Sequence, residues 1–183
     1  MAAPGSSSGL EVLLSTLQNA GDVESTLSIL NVLDELLSAG TDRRVVYMIS
    51  KGGSEALLSA LVTTARSISP NFTLLLPLLH LLAKVGHRDS RIGTKAEKAE
   101  AVTLTLNLLK QNEQHSKRTA ACLWVIQVFC SSVTTATLLG QNRGLEVIFR
   151  LIPTHTTRHI RSVNLLGSSS TVILHPHRGY IAV

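Results

Sequence analysis

Long apolar runs alternate with short polar stretches along the 183 residues of this chain, and the apolar positions recur at helical spacing. The first run, Glu24 to Ser38, is apolar on nearly all sides, which is typical of a helix that lies between two layers. The runs Phe72 to Val85 and Lys117 to Ser131 predict two further long helices. Asp22 is placed to cap the first of the three, and Pro77 predicts either a later start or a kink in the second.

A short helical segment and then a third helix are predicted after each long run. The predicted short segments are Asp42 to Ser50, Arg88 to Thr94 and Thr134 to Gln141. The predicted third helices are Ser54 to Arg66, Glu97 to Asn112 and Leu145 to Ile152. Each unit is therefore a long helix, a short helix and a long helix, with glycines between them where a positive φ can be adopted.

Four glutamates mark the repeat, because each one opens an apolar run. Their successive intervals are 44, 45 and 46 residues: Glu11, Glu55, Glu100 and Glu146. We expect each of them in the first turn of its helix, where a negative charge meets the positive end of the helix dipole. The period falls in the range of about 40–47 residues found in HEAT and armadillo repeats, and three helices per unit favour the armadillo type.

The pattern as a whole predicts an all-α fold, an armadillo-type α-solenoid of about three three-helix repeats. Residues 1–8 are small and polar and are expected to be disordered, whereas residues 9–160 form the helical repeats. Residues 161–183 form a divergent, unstructured tail, with a Gly-Ser-Ser-Ser run where a fourth long helix should begin. The array therefore looks unfinished, since it lacks the polar cap that the end of a solenoid needs.

The amino-acid composition also disfavours two other classes of protein. Aromatic residues make up only 3% of the chain, which disfavours a β-sandwich, and 44% hydrophobic residues disfavour disorder throughout.

Cys122 and Cys130 lie eight residues apart on one predicted helix, too far to form a disulfide, and are expected to be reduced, unreactive core residues of a cytosolic protein. No signal-peptide pattern occurs at the N-terminus, and no membrane partner is expected because the longest uncharged run, Thr119 to Asn142, is rich in polar residues.

The net charge of +5 is unevenly distributed: residues 1–83 carry four basic and seven acidic side chains, and residues 84–183 carry thirteen and five. Basic residues cluster in and around the short helices. The candidate contacts for an acidic partner are Arg43, Arg44, Lys51, Lys84, Arg88, Arg91 and Lys95. Equivalent positions of a solenoid align along one surface, so these side chains could hold an extended acidic peptide or simply form a solvated face. No aromatic residues are interleaved with them, so no nucleic-acid partner is expected.

Candidate chemistry is sparse in this sequence. No glycine-rich phosphate-binding loop occurs, and no catalytic, cofactor-binding or metal-ligating residue is assigned. The pairs His155/His159 and His175/His177 have no neighbouring Cys, Asp or Glu and are interpreted as exposed histidines. His80 lies on an apolar helix and is interpreted as a hydrogen-bonded core residue.

Five segments carry a family resemblance when they are taken in order. They are residues 9–18 (GLEVLLSTLQ), 36–44 (LLSAGTDRR), 47–58 (YMISKGGSEALL), 81–86 (LLAKVG) and 106–112 (LNLLKQN). This ordered set resembles the N-terminal armadillo-like region of the cytosolic carboxypeptidases, the tubulin deglutamylases. The likeness covers Gly9 to Ile152, about four-fifths of the chain.

The resemblance implies that a full-length, cytosolic relative removes glutamates from tubulin and other protein tails, with zinc ligands that include a His-x-x-Glu pair. No His-x-x-Glu occurs in this sequence. We therefore expect a non-catalytic scaffold or interaction segment without zinc, from a fragment or a shortened isoform. The alternative is a stand-alone module whose basic residues bind acidic, polyglutamylated tails such as those of tubulin. A third possibility is an unfinished array that exposes apolar faces and aggregates.

Overall fold

The computed structural model describes residues 6–130 together with residues 146 and 147. Residues 6–130 form eight α-helices and no strand. In chain order these are α1 (Ser6–Asn19), α2 (Val23–Ser38), α3 (Asp42–Ser50), α4 (Gly53–Ala65), α5 (Phe72–Gly86), α6 (Ile92–Lys98), α7 (Ala101–Gln111) and α8 (Ser116–Phe129). The predicted order of long, short and long helix recurs as α2–α4 and as α5–α7, so the all-α, armadillo-like fold class is confirmed.

Most of the predicted helices are confirmed in their bounds as well. The bounds of α3 are those predicted, and α2, α4, α5 and α8 begin and end within two residues of theirs. Asp22 caps α2 as predicted: its Oδ1 accepts a hydrogen bond from the Ser25 N–H at 2.7 Å. This bond, together with one from the Ser25 hydroxyl, lowers the pKa of Asp22. Pro77 lies inside α5, which begins at Phe72, so it does not mark a later start.

The predicted bounds of the second repeat's short helix and third helix are wrong. Helix α6 lies four residues further along the chain than the predicted segment Arg88 to Thr94. Helix α7 begins at Ala101 instead of Glu97. The two helices are separated at Ala99 and Glu100, where Glu100 adopts a left-handed conformation with φ 61°. No glycine marks this break in the sequence, so the pattern of residues did not reveal it.

The four repeat glutamates do not share one structural position. Glu55 lies in the first turn of α4, as predicted. Glu11 lies beyond the first turn of α1, and Glu100 comes before the first turn of α7, so both of those predictions are wrong. Glu146 is helical, but the start of its helix lies outside the described residues. The near-equal intervals therefore report the repeat length and not a common role at helix N-termini.

Several predictions concern residues that lie partly or wholly outside the described part of the chain. Helix α1 begins within residues 1–8, the segment predicted to be disordered, and residues 1–5 are outside. The predicted segment 134–141, most of the predicted helix 145–152 and the predicted tail 161–183 are also outside, as are the four C-terminal histidines.

The chain divides into two compact units, and the first lies within Met1–Asp89. In it, α2 packs on α1 and α5, and α4 packs on α1 and α5. Equivalent helices of successive repeats therefore stack, α1 with α4 and α2 with α5. Its centre is made of leucines with 1% or less of their surface exposed, among them Leu33, Leu57, Leu61, Leu75, Leu79 and Leu82. Burial of each such side chain contributes about 1.5–3 kcal/mol, which makes this apolar core the main source of stability.

The second unit lies within Ser90–Val183. In it, α7 packs on α8, and α6 lies against both. Phe129 of α8 is fully buried. Cys122 and Cys130 are buried and are not joined in a disulfide, so both are core residues as predicted. Burial raises the pKa of the Cys122 thiol to about 12, so this side chain is not a thiolate nucleophile at neutral pH.

His80 is exposed, and its interpretation as a core residue is wrong. It lies on the outer stripe of α5 with Thr73 and Lys84, while most of the remaining side chains of that helix are buried. These three are the polar side chains of an otherwise apolar helix, and their helical spacing places them on one face. The sequence pattern of α5 therefore indicates its exposed face, and His80 belongs to that face.

Among the described residues, no one helix is both long and apolar enough to cross a bilayer. Helices α3 and α4 together have the length and composition of a span, but they are bent by 73° at the break between them.

Candidate functional site

The seven basic side chains predicted to contact an acidic partner are divided between the two units. Five belong to the first unit: Arg43 and Arg44 on α3, Lys51 directly after it, Lys84 on α5 and Arg88 after α5. Two belong to the second unit: Arg91, which precedes α6, and Lys95 within α6. All seven are exposed except Lys95, which is half-buried.

Lys84 links two stacked long helices. Its Nζ lies 2.6 Å from Oδ1 of Asp34 on α2 and donates a hydrogen bond to the Ser38 hydroxyl at 3.3 Å. Because α2 and α5 are equivalent helices of successive repeats, this ion pair joins one layer to the next. The two side chains remain 42% and 51% exposed, so solvent screening limits the pair to about 0–1 kcal/mol.

Arg88 makes a second link one turn further along the chain. Its Nη2 lies 3.1 Å from Oδ2 of Asp42, the first residue of α3. A carboxylate in the first turn of a helix is also stabilised by the helix dipole. Arg88 therefore binds an acidic group that the fold already holds in place, and both side chains stay exposed.

Lys51 forms a small cluster with Glu11 and Tyr47. Its Nζ lies 3.2 Å from Oε1 of Glu11, and the Tyr47 hydroxyl donates a hydrogen bond to the same oxygen at 3.2 Å. The ammonium group lies 5.6 Å from the centroid of the Tyr47 ring, within the range of a cation–π contact. The hydrogen bond to Glu11 and the charge of Glu11 raise the pKa of Lys51. The cluster ties the turn after α3 back to α1 of the preceding repeat.

The two arginines of α3 differ in their surroundings. Arg44 Nη1 donates a hydrogen bond to the Leu36 carbonyl at 3.0 Å, in the last turn of α2, so its charge lies at the negative end of that helix dipole. Arg43 is exposed and makes no hydrogen bond or ion pair with the described residues. Arg91 and Lys95 of the second unit are not free of interactions. Of the five predicted contact residues in the first unit, Arg43 is therefore the one most open to an outside partner.

The basic residues Lys51, Lys84 and Arg88 were predicted from the sequence, but their acidic partners were not. The three ion pairs join residues 40, 50 and 46 positions apart: Glu11–Lys51, Asp34–Lys84 and Asp42–Arg88. These separations are close to one repeat, and that is the signal that could have found them, because stacked repeats bring such positions face to face. An acidic peptide would have to displace the acidic groups already bound at these three positions.

A buried polar contact joins the first turn of α4 to the turn after α5. The Ser54 hydroxyl donates a hydrogen bond to Oδ2 of Asp89 at 2.7 Å. Ser54 is fully buried, and only 6% of Asp89 is exposed. A carboxylate removed from water in this way needs hydrogen-bond donors, so the contact fixes the position of the turn against α4.

The zinc that the resemblance implies would need three or four His, Cys, Asp or Glu side chains around one point. Within the described residues, no group of three or more such side chains lies close enough together to hold a metal ion. These residues therefore do not fit a zinc site, and no zinc chemistry follows from them.

Known proteins are similar in sequence to this chain over almost its whole length. Residues 2–168 match the protein family described as CCP1-like, N-terminal TPR repeats, so the match extends past Arg161 into the predicted tail. The chain is similar to cytosolic carboxypeptidase 4 of Mus musculus (52% identical over 182 residues) and of Homo sapiens (48% over 182 residues). It is 36% identical over 185 residues to cytosolic carboxypeptidase 1 of Homo sapiens.

These alignments cover 95% to 97% of this chain but only 15% to 16% of each relative. The chain therefore spans about one-sixth of the length of the curated relatives that it matches.

Proposed function

We propose that this chain, which belongs to the family of CCP1-like N-terminal TPR repeats, is a non-catalytic helical scaffold of a cytosolic carboxypeptidase. One observation carries the proposal: residues 2–168, nearly all of the chain, match the repeat part of these proteins. The stacked, leucine-filled helices support this role, because a packed array offers rigid helix faces that position other segments.

The full-length carboxypeptidase would carry out the reaction, and this chain would support it. The relatives are named cytosolic carboxypeptidases. Removal of glutamates from tubulin and other protein tails, with zinc as cofactor, would be carried out by residues outside this chain. The chain itself would contribute position and partner contacts in the cytosol.

Two measurements test the scaffold role. The purified chain, incubated with zinc and a peptide that ends in several glutamates, should release no glutamate, and release that a chelator abolishes would refute the proposal.

The second measurement uses the Mus musculus relative with this chain in place of its matched repeats. This chimaera should release glutamate as the parent does, whereas activity as low as that of a variant without repeats would also refute the proposal.

Matched variants of the chimaera show whether the packed array is what matters. Gly53→Leu places a side chain where a Cβ alone would lie 2.4 Å from Met48 Cγ, so it should lower the activity. Gly21→Ala adds a methyl group where nothing lies within 4 Å and should leave the activity unchanged. Equal activity of the two variants would contradict the scaffold role.

A second candidate function is a module that binds acidic, polyglutamylated tails such as those of tubulin. Arg43 favours this function, because its exposed guanidinium group has no acidic partner among the described residues. The ion pairs at Lys51, Lys84 and Arg88 weigh against it, because a tail would replace bonds that already exist and would gain little free energy.

Binding of a fluorescent oligoglutamate peptide to the full chain separates the two functions. A binding module should lose affinity as ionic strength rises, and Arg43→Glu should weaken binding about 3–10-fold. Arg66→Glu makes the same change of charge at another exposed position of the first unit and should have little effect. Absence of binding, or an equal loss in both variants, would exclude the module.

A further inference from the structure

The connection between α4 and α5, residues 66–71, is an exposed loop. Ile68 is fully exposed, at 106% of its reference surface, and the serines on both sides of it are exposed as well. Ser69 is followed by Pro70, and this is the only Ser-Pro or Thr-Pro dipeptide in the 183 residues. The loop therefore presents one distinctive short motif to solvent.

The hydroxyl of Ser69 is available for reaction. This hydroxyl makes no hydrogen bond within the described part of the chain. The backbone carbonyl of Ser69 accepts a hydrogen bond from the Ser67 hydroxyl at 3.4 Å, which leaves the Ser69 hydroxyl unaffected. Two other hydroxyls of the first unit, by contrast, are engaged: Thr16 donates to the Val12 carbonyl at 2.7 Å, and Ser25 donates to Asp22 at 2.9 Å. A reagent that reached Ser69 would therefore not have to break a hydrogen bond of the fold.

Pro70 also shapes the backbone around that hydroxyl. Proline fixes its own φ near −65° and disfavours a helical conformation at the residue before it. Ser69 is thus kept out of α5, which begins at Phe72. Protein kinases bind substrate segments as non-helical chains, and one class of them requires proline directly after the residue that is phosphorylated. We propose that Ser69 is a phosphorylation site for a proline-directed protein kinase.

The reaction is transfer of the γ-phosphoryl group of ATP to Ser69. A bond forms between Oγ of Ser69 and the γ-phosphorus, and the bond from that phosphorus to the β–γ bridging oxygen breaks, so ADP leaves. The hydroxyl proton passes to a base of the kinase and then to solvent. ATP and the kinase supply everything that the step needs.

A phosphate on Ser69 would lie close in sequence to the N-terminus of α5. That helix has no acidic residue in its first turn, and its N-cap, Asn71, accepts one hydrogen bond there, from the Thr73 N–H at 2.9 Å. Phosphoserine carries a charge of about −1.5 to −2 at pH 7, and a negative charge is stabilising near a helix N-terminus. Because α5 packs on both α2 and α4, the modification should stabilise the whole first unit.

The test uses the purified full chain, ATP and two recombinant proline-directed kinases, a mitogen-activated kinase and a cyclin-dependent kinase. Intact mass should show the gain of one phosphate, and fragment spectra should place it on Ser69. Ser69→Ala and Pro70→Ala should each abolish incorporation, the second because it keeps the hydroxyl and removes the recognition element. Ser67→Ala changes an exposed serine two positions away and should be phosphorylated as the parent chain is.

Three results would overturn the proposal: no incorporation by either kinase, phosphate on another residue, or full incorporation in Pro70→Ala. Folding is a separate readout, since each variant should keep the helical circular dichroism of the parent. The phosphorylated chain should melt about 1–4 °C higher than the unmodified chain at low ionic strength, with a smaller difference in salt. An unchanged or lower melting temperature would refute the predicted effect on α5.

Discussion

The linker between α3 and α4 and the linker between α6 and α7 make the same turn with different residues. Gly52 (φ 83°, ψ 23°) and Glu100 (φ 61°, ψ 21°) each adopt the left-handed conformation directly before a long helix. Glycine adopts it without strain because it has no Cβ, whereas most other residues meet a steric cost of about 1–2 kcal/mol. The second repeat therefore keeps the bend of the first without the residue that makes the bend easy.

The two residues after the left-handed position also differ between the two linkers. Gly53 is buried, and a Cβ there would lie 2.7 Å from the Met48 carbonyl oxygen, so α3 leaves no room for a side chain. The second repeat has the fully buried Ala101 at this position. Ser54 then donates a hydrogen bond to buried Asp89, whereas its counterpart is the apolar Val102. The backbone conformation at the repeat boundary is therefore the same in both repeats, while the side chains that pack there differ.

The largest expected effect comes from Gly53→Ala, which gives the first linker the residue found in the second. The added methyl group would lie 2.4 Å from Met48 Cγ and would also press on the backbone of α3. We expect a loss of about 2–3 kcal/mol in the free energy of unfolding, measured by urea titration followed by circular dichroism. Gly21→Ala, at an open site, is the control. A loss no greater than that of the control would show that α3 yields easily.

Ser54→Ala removes the polar contact that the second repeat lacks. The buried carboxylate of Asp89 would lose a donor at 2.7 Å, which should cost about 2 kcal/mol in the free energy of unfolding. Ser59→Ala, at an exposed position of the same helix, is the matched control and should be nearly neutral. Equal unfolding midpoints for the two variants would mean that the contact contributes nothing to stability.

Gly52→Ala tests the left-handed position of the first linker by itself. A Cβ there would meet only Glu55 Oε2, at 3.4 Å, so the penalty is conformational and not a matter of packing. We expect a loss of about 1 kcal/mol, since the strain of positive φ is partly offset by a less flexible unfolded chain. Denaturant unfolding measures it, and Gly52→Asn should lose less, because asparagine tolerates this conformation better than alanine.

The smallest effect is expected at Glu100, where the second linker can be given the glycine of the first. Glu100→Gly and Glu100→Ala both remove the carboxylate, so the difference between them isolates the backbone. Glu100→Gly should be more stable than Glu100→Ala by about 0.5–1 kcal/mol in urea titrations. If alanine is as stable as glycine at this position, then the left-handed bend at Glu100 is not strained.

Some features of the fold followed from the sequence because they depend on local patterns. The bounds of α3 and the cap at Asp22 were predicted correctly, since a polar start and an apolar run identify a helix wherever it packs. The break at Ala99 and Glu100 was missed, because nothing local to these residues favours a left-handed bend. The error at His80 has a different cause: His80 lies on one face of α5 with Thr73 and Lys84, the other polar side chains of that helix, so the spacing of polar residues already indicated exposure.

The seven basic side chains of the candidate site also show what local patterns reveal and what they do not. The basic residues were visible in the sequence, but the acidic groups that bind three of them lie 40 to 50 positions earlier in the chain. A free side chain and a paired one look alike in a sequence. Arg43 and Arg44 are neighbours on one short helix, yet only Arg44 has a carbonyl of α2 within reach.

The repeat, the order of long and short helices and the leucine core follow from the spacing of residue types, because helix formation and apolar burial depend on that spacing. The left-handed turn at Glu100, the closed space at Gly53 and the ion pairs between stacked helices arise only in the folded chain. The ion pairs join residues 40 to 50 positions apart, whereas the turn at Glu100 and the closed space between Gly53 and Met48 depend on how the backbone bends between two helices. No local pattern of residues records such contacts before the chain has folded.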